Sequence, residues 1–255
     1  MGRSRRQRLG QNFLVDRGVV RRIAALLDHE PPRVLEIGPG RGVLTVELLE
    51  RFPRVLALEL DEGLLAGLEE LEGRGLEIHH ADALTEPLEP LLGEEAPWQV
   101  AANLPYSVGT PILRRLLPRH DLFRRVVVML QREVAERVVA RPGERAHGLL
   151  ALERAAWTRD ARIAFSVPPG AFRPRPRVVS SVIVLEPAPP AFDRERLEAA
   201  FRLARHALTR PRKTLANALK PLVDAGAIED AGLDPGARPA TVPLEGWVAL
   251  AGVGP

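Results

Sequence analysis

Leu35-Glu36-Ile37-Gly38-Pro39-Gly40-Arg41-Gly42 is the stretch that decides how this chain folds. It closes a short apolar run that starts at Arg33, and a helical pattern over 43–51 and a second apolar run over 54–60 follow it. Short apolar runs bounded by turn residues read as strands, so this segment is a strand, a Gly-rich turn, a helix and a strand. Upstream, Val19, Val20, Ile23, Leu26 and Leu27 stand at helical spacing and predict a helix over 16–29. Downstream, 62–71 reads as helix, 76–79 and 99–102 as strands, 110–117 as helix, 125–129 as strand and 132–140 as helix. Strands alternating with helices predict an α/β architecture: a mostly parallel sheet with helices on both faces. A further strand at 178–185 is separated from one at 162–165 by a short proline-rich segment, which predicts an antiparallel pair.

Glu186-Pro187-Ala188-Pro189-Pro190 is stiff, because proline resists helix and ladder alike. The domain boundary is placed there: residues 1–187 form the larger domain with a basic N-terminal arm, and 188–255 a small helical one. Helices are expected over 194–207 and 213–223, with a short last one at 247–250 and loop over 233–243. No internal repeat or low-complexity tract is present.

With 255 residues, 45% of them hydrophobic, the chain can bury one sizeable core and a small second one. It has no cysteine, which excludes disulfides, thiolate nucleophiles and Cys-type zinc sites and favours an intracellular setting. Its six histidines show no metal-ligand spacing; His79 and His80 are adjacent on a strand end and point to opposite faces. No metal is expected. Arg3, Arg5, Arg6 and Arg8 lead into no uninterrupted apolar stretch, since Arg21 and Arg22 break the only candidate. Neither a signal peptide nor a membrane span is expected, and the chain reads as cytoplasmic.

The net charge of +3 hides a segregation. Twelve acids and a single base, Arg74, lie between Glu59 and Glu95, whereas 201–220 hold Arg202, Arg205, Arg210, Arg212, Lys213 and Lys220 and no acid. Basic ends of this kind suit a polyanion. Arginine dominates, and its planar fork matches phosphate oxygens.

Glycines after a first strand let the backbone turn tightly and approach a ligand at the carboxyl ends of parallel strands. A dinucleotide fingerprint wants glycine or alanine five positions after its first glycine, where this chain has Val43. The turn, with Gly38 and Gly40, suits S-adenosyl-L-methionine better, because that ligand has no pyrophosphate to place. Glu59, at the end of the second strand, can accept both ribose hydroxyls, and Asp82, past the third, can accept from the adenine amine. Asn103-Leu104-Pro105-Tyr106 follows the fourth strand. An exocyclic amine is a poor nucleophile while its lone pair is delocalised into the ring. Asn103 and the Leu104 carbonyl, held extended because it precedes Pro105, can draw the amine hydrogens and free that pair. Tyr106 offers a flat face to a base. Each feature taken singly has a plainer reading: a strand-ending turn, a surface carboxylate, or for Phe172 a core residue.

These motifs, together with Gln11-Asn12-Phe13-Leu14, Glu59-Leu60-Asp61, Asp82-Ala83 and Phe172-Arg173-Pro174-Arg175-Pro176, give a chain that resembles the rRNA adenine N6,N6-dimethyltransferases. It is most similar to the branch acting on two neighbouring adenosines near the 3′ end of small-subunit rRNA. Met129-Leu130-Gln131-Arg132-Glu133-Val134 and Arg212-Lys213-Thr214-Leu215 fit that branch. The resemblance implies a Rossmann-like class I methyltransferase with a mostly parallel seven-stranded sheet and a small C-terminal helical domain that binds rRNA. By the same resemblance, Asn12, Leu14, Gly38, Gly40, Glu59, Asp82 and Asn103 bind the cofactor. Asn103, Leu104, Pro105, Tyr106 and Phe172 form the catalytic set, with Tyr106 and Phe172 gripping a flipped adenine. The expected partner is small-subunit rRNA or a pre-30S particle, met by a monomer with a part in subunit assembly. Two positions depart from the pattern: Val179 precedes Ser180 where the family often has aspartate, and His147-Gly148 replaces an aromatic-glycine pair. The alternatives are a large-subunit rRNA methyltransferase of the antibiotic-resistance type, and a non-catalytic assembly or transcription factor on the same fold.

Overall fold

The computed structural model describes residues 11–253; Arg3, Arg5, Arg6 and Arg8 of the basic arm lie outside them. In chain order the first elements are β1 (Phe13–Leu14), α1 (Arg17–Ala24), β2 (Arg33–Ile37), α2 (Val43–Leu49), β3 (Arg54–Glu59), α3 (Glu62–Glu69), β4 (Leu76–His80), α4 (Leu88–Leu92), β5 (Trp98–Asn103) and α5 (Gly109–Leu116). They are followed by β6 (Phe123–Gln131), α6 (Arg132–Val139), α7 (Leu149–Trp157), β7 (Thr158–Val167), β8 (Phe172–Arg173), β9 (Ser180–Pro187), α8 (Arg194–Leu208), α9 (Leu215–Leu219), α10 (Ala225–Asp230) and α11 (Leu244–Val253).

Seven strands form one sheet in the order β4-β3-β2-β5-β6-β9-β7. From β4 to β6 every pairing is parallel, and β9 runs antiparallel to β6. The expected mostly parallel seven-stranded sheet is therefore present, and β7 and β9 are neighbours in it. Strands covered on both faces read as continuous apolar runs, which is why Val34, Leu35, Val55, Leu56, Val100 and Ala101 are all fully buried. The chain builds outward from β2 to β3 and β4, then returns to lay β5 on the other side of β2. That reversal opens a crevice at the carboxyl ends of β2 and β5. Helix α1 starts at Asp16, whose side chain accepts from the Gly18 and Val19 N–H groups at 2.8 and 3.1 Å, a regular N-cap.

The chain divides into two compact units: residues 1–135 with 159–188, and 136–158 with 189–255. A boundary at 187/188 gives 136–158 to the first unit, but the structure gives them to the second. The cause is the apolar face of α7: Leu152 and Ala156 join Leu197, Ala200, Ala204, Leu215, Trp247 and Leu250 in one helical core. Alanines on one face of α8 let α11 pack closely against it. Among the described residues no helix is long and apolar enough to cross a membrane, and no group of three or more His, Cys, Asp or Glu could hold a metal ion.

Candidate active site

Register places the site. Ile37 lies beside Leu58 on one side and Ala102 on the other, so the next residues along, Gly38, Glu59 and Asn103, form a row across the strand ends. The backbone leaves β2 at Gly38 with φ +68, a left-handed conformation that favours glycine, and its N–H is held by the Leu58 carbonyl at 2.9 Å. A Cβ added there would meet no atom within 4 Å, so the turn faces open cleft; at Gly40 (φ +61) it would meet the Phe13 ring at 3.1 Å. Close packing of Phe13 on the turn thus requires glycine at 40.

Glu59 is buried, and its two oxygens fix the turn and the following loop. Oε2 accepts from Gly40 N–H at 3.0 Å and Oε1 from Asp61 N–H at 2.8 Å. Asn12, Gly38, Gly40, Glu59 and residues 103–106 line one chamber of the cleft. Leu14, Glu36, Gly38 and Asn103 line a second. Asp82 sits in a third, an apolar cavity of about 210 Å³ walled by Ile37, Leu58, Leu60, Leu84, Val108 and Ile112. In the first chamber the Asn103 Nδ2 donates to the Asn12 carbonyl at 3.1 Å. Tyr106 is half-buried; burial pushes its phenol above the usual value, and its hydroxyl shares a 2.6 Å hydrogen bond with Ser180 Oγ.

The structure thus brings together every predicted site residue but one. Phe172 is 0% exposed, paired with Leu14 in the β1–β8 ladder and packed in the main core, so it offers no face to a base. The flanking prolines do stiffen an exposed segment, but the ring turns inward from it. The plainer core reading holds, and the base-clamp role is withdrawn. Phe172 instead backs Leu14, which itself lines the cleft.

Sequence reasoning quoted Gln11, Glu36 and Ser180 within its motifs but gave none of them a role in the site. Glu36 is 1% exposed, and its Oε2 has no hydrogen-bond partner. Burial, with the Glu59 carboxylate pushing the same way, raises its carboxyl to about 8. The available signal was an acid inside an otherwise apolar strand. Ser180 settles what the Val179-Ser180 pair does: the serine hydroxyl holds Tyr106, and the Val179 carbonyl accepts from Arg132 N–H at 2.9 Å. In the helical unit, the buried His147 bonds through Nδ1 to the Ala240 carbonyl at 2.8 Å.

Two carboxylates and the buried, protonated Glu36 carboxyl around a glycine turn suit a ligand with hydroxyls, an exocyclic amine and cationic centres, and disfavour a pyrophosphate. S-adenosylmethionine has that donor set, and a cationic group beside the unpartnered Glu36 oxygen would favour loss of the Glu36 proton and be compensated by the carboxylate so formed.

A family model for ribosomal RNA adenine dimethylase matches residues 2–250. The chain belongs to the ribosomal RNA adenine dimethylase family. Among curated relatives, a ribosomal RNA small subunit methyltransferase A from Syntrophotalea carbinolica is 40% identical, over 96% of this chain and 95% of its own. One of the same name from Rhodospirillum rubrum is 42% identical, over 98% and 88%. Among solved structures of this fold, the 23S rRNA methyltransferase ErmE is 26% identical with a TM-score of 0.72, covering 95% of this chain and 99% of its own. A dimethyladenosine transferase from Plasmodium falciparum shares the fold with a TM-score of 0.76 at 22% identity, over 93% and 95%. The seven-stranded sheet of this dimethylase is thus that of class I methyltransferases.

Proposed function

We propose that the protein uses S-adenosylmethionine to dimethylate N6 of two adjacent adenosines near the 3′ end of small-subunit rRNA. The observation that carries the mechanism is the orientation of Asn103. The Asn12 carbonyl can only accept, so the amide nitrogen faces it at 3.1 Å and the side-chain oxygen is left as an acceptor. That oxygen and the Leu104 carbonyl draw the hydrogens of the target amine, and the nitrogen lone pair leaves conjugation. Bound in the cleft, S-adenosylmethionine supplies an electrophilic methyl group. Glu59 and Asp82 orient its ribose and adenine, Asn12, Leu14, Gly38 and Gly40 shape the cradle, and Glu36, protonated in the free protein, balances positive charge by releasing its proton when the cofactor binds.

Tyr106 holds the base by stacking. Burial keeps its phenol protonated, so it is no base, and the amine proton leaves to water after attack. No covalent enzyme intermediate is required. The first product still carries a hydrogen and a lone pair, so the same acceptors serve a second transfer. Positioning in the cleft accounts for most of the rate.

The small-subunit substrate is supported by relatives of that name at 40% and 42% identity over nearly whole chains. Exposed Arg202, Arg205 and Lys213 in the helical unit supply phosphate contacts that position folded RNA without reading sequence. The protein acts as a cytoplasmic monomer on an assembling small subunit. A second reading, methylation of large-subunit rRNA, is favoured by the likeness to ErmE. Incubation with labelled S-adenosylmethionine and either unmethylated small subunits or large-subunit rRNA, followed by mapping of labelled nucleosides, separates the two. Dimethyladenosine confined to the 3′ region of small-subunit rRNA is the expected result, and label only in large-subunit rRNA would replace it with the second reading.

A further inference from the structure

The turn after β4 carries Asp82, and its shape is fixed partly from outside. Inside the turn, Asp82 Oδ1 accepts from Leu84 N–H at 2.9 Å, and the Asp82 carbonyl accepts from Thr85 and Glu86 N–H at 2.9 and 2.8 Å. Oδ1 is thus committed to the turn, and Oδ2 remains for a ligand in the apolar cavity. The Ala83 and Glu86 carbonyls both face the Arg115 guanidinium: Nη1 donates to Ala83 at 2.6 Å and Nη2 donates to Glu86. Among the described residues no carboxylate pairs with Arg115, so its charge is spent on two main-chain oxygens. The planar fork of arginine is suited to bridging them; a lysine reaches one.

Arg115 lies on α5 one turn after Ile112, whose side chain walls the same cavity. The helix begins at Gly109, three residues after Tyr106. One rigid element therefore connects the amine-orienting tetrad to the turn that carries Asp82.

We propose that Arg115 is a positioning residue that gives the site its preference for a 6-aminopurine, by clamping the 82–86 turn so that Asp82 Oδ2 meets the exocyclic amine. The inference rests on reading this cavity as the adenine end of the cofactor site. A 6-oxopurine presents an acceptor in place of the donor, and the fixed carboxylate repels it. Released from Arg115, the turn lets Asp82 swing away, and the two purines come to bind alike.

Calorimetric titration of S-adenosylhomocysteine and S-inosylhomocysteine into the full chain tests this. Wild type is expected to prefer the adenosyl ligand about 10- to 100-fold, the worth of a hydrogen bond to a charged acceptor. In R115A the adenosyl affinity falls while the inosyl affinity hardly moves, bringing the ratio within about 3-fold. R115K, which keeps the charge but only one contact, falls between. Equal weakening of both ligands in R115A and R115K, or no change in either, would make Arg115 a mere structural stitch and overturn the proposal. A wild-type protein that binds both ligands alike overturns it differently, by removing the adenine reading of the cavity itself.

Discussion

In the cleft, Glu36, Glu59 and Asp82 come from three strands or their ends, separated by more than twenty residues each, and the first two are buried. In the helical unit, Arg202, Arg205 and Lys213 come from one stretch and stand exposed. The contrast teaches two ways of holding charge. Topology assembles the cleft, so each group has one neighbour set and one geometry. The basic stretch needs only a scaffold, and its groups act together through a screened field.

The sharpest way to break this contrast is N103A. It should lower turnover by about 10²–10³-fold, the scale for one preorganised polar group at a reacting centre. Cofactor binding should survive in part, read by calorimetry beside single-turnover rates; full activity would end the mechanism. Next in size is R202Q/R205Q/K213Q, in which rRNA affinity should fall about tenfold or more at moderate salt. Its salt slope should also become shallower by about 2–3, at roughly 0.7–0.9 per phosphate contact. Unchanged salt dependence would remove the helical unit from RNA positioning.

E36Q probes the buried charge. Glu36 titrates near 4.5 when unfolded and about 8 when folded, so between these values the folded state holds the extra proton. Stability from this group is therefore present at low pH and declines as pH rises from 4.5 to 8. E36Q should flatten that decline and raise Tm at pH 8, by about 2–4 °C for each kcal/mol relieved, while cofactor affinity falls. A Tm that responds to pH just as wild type does would dismiss the buried ionisation. The smallest effect belongs to Y106F. It leaves the Ser180 hydroxyl unpaired at a cost of about 1 kcal/mol, with a modest loss of activity because the stacking face remains; a large fall in turnover would give the phenol a chemical role.

The strand-turn-helix-strand of 33–60 was legible because continuous apolar runs, positive-φ glycines and terminal acids are all local signals. Asn103 was legible for the same reason: it ends a buried run. The β1–β8 ladder was not, since its two-residue strands pair across 160 positions, Phe13 with Arg173, and neither has a pattern of its own. Phe172 was misread because proline stiffness tells where a loop goes and not which way a ring turns. Helix α7 went unplaced, and its allegiance to the second unit depends on Leu152 and Ala156 meeting α8, which no local spacing reveals. Glu36 stood in plain view inside the deciding motif, but only burial discloses that one of its oxygens has no partner.

The detour of 136–158 into the helical unit has a consequence for synthesis. Ribosomes deliver α7 before β7 and β9, and its core partners on α8 and α11 only after them. A nascent protein must therefore carry α7 with its apolar face uncovered while β7 and β9 are made, and a fragment starting at 189 would lack one wall of its own interior. Severing the proline-rich joint at 188–190 yields two incomplete pieces, so the helical portion should be isolated only together with the excursion that precedes it.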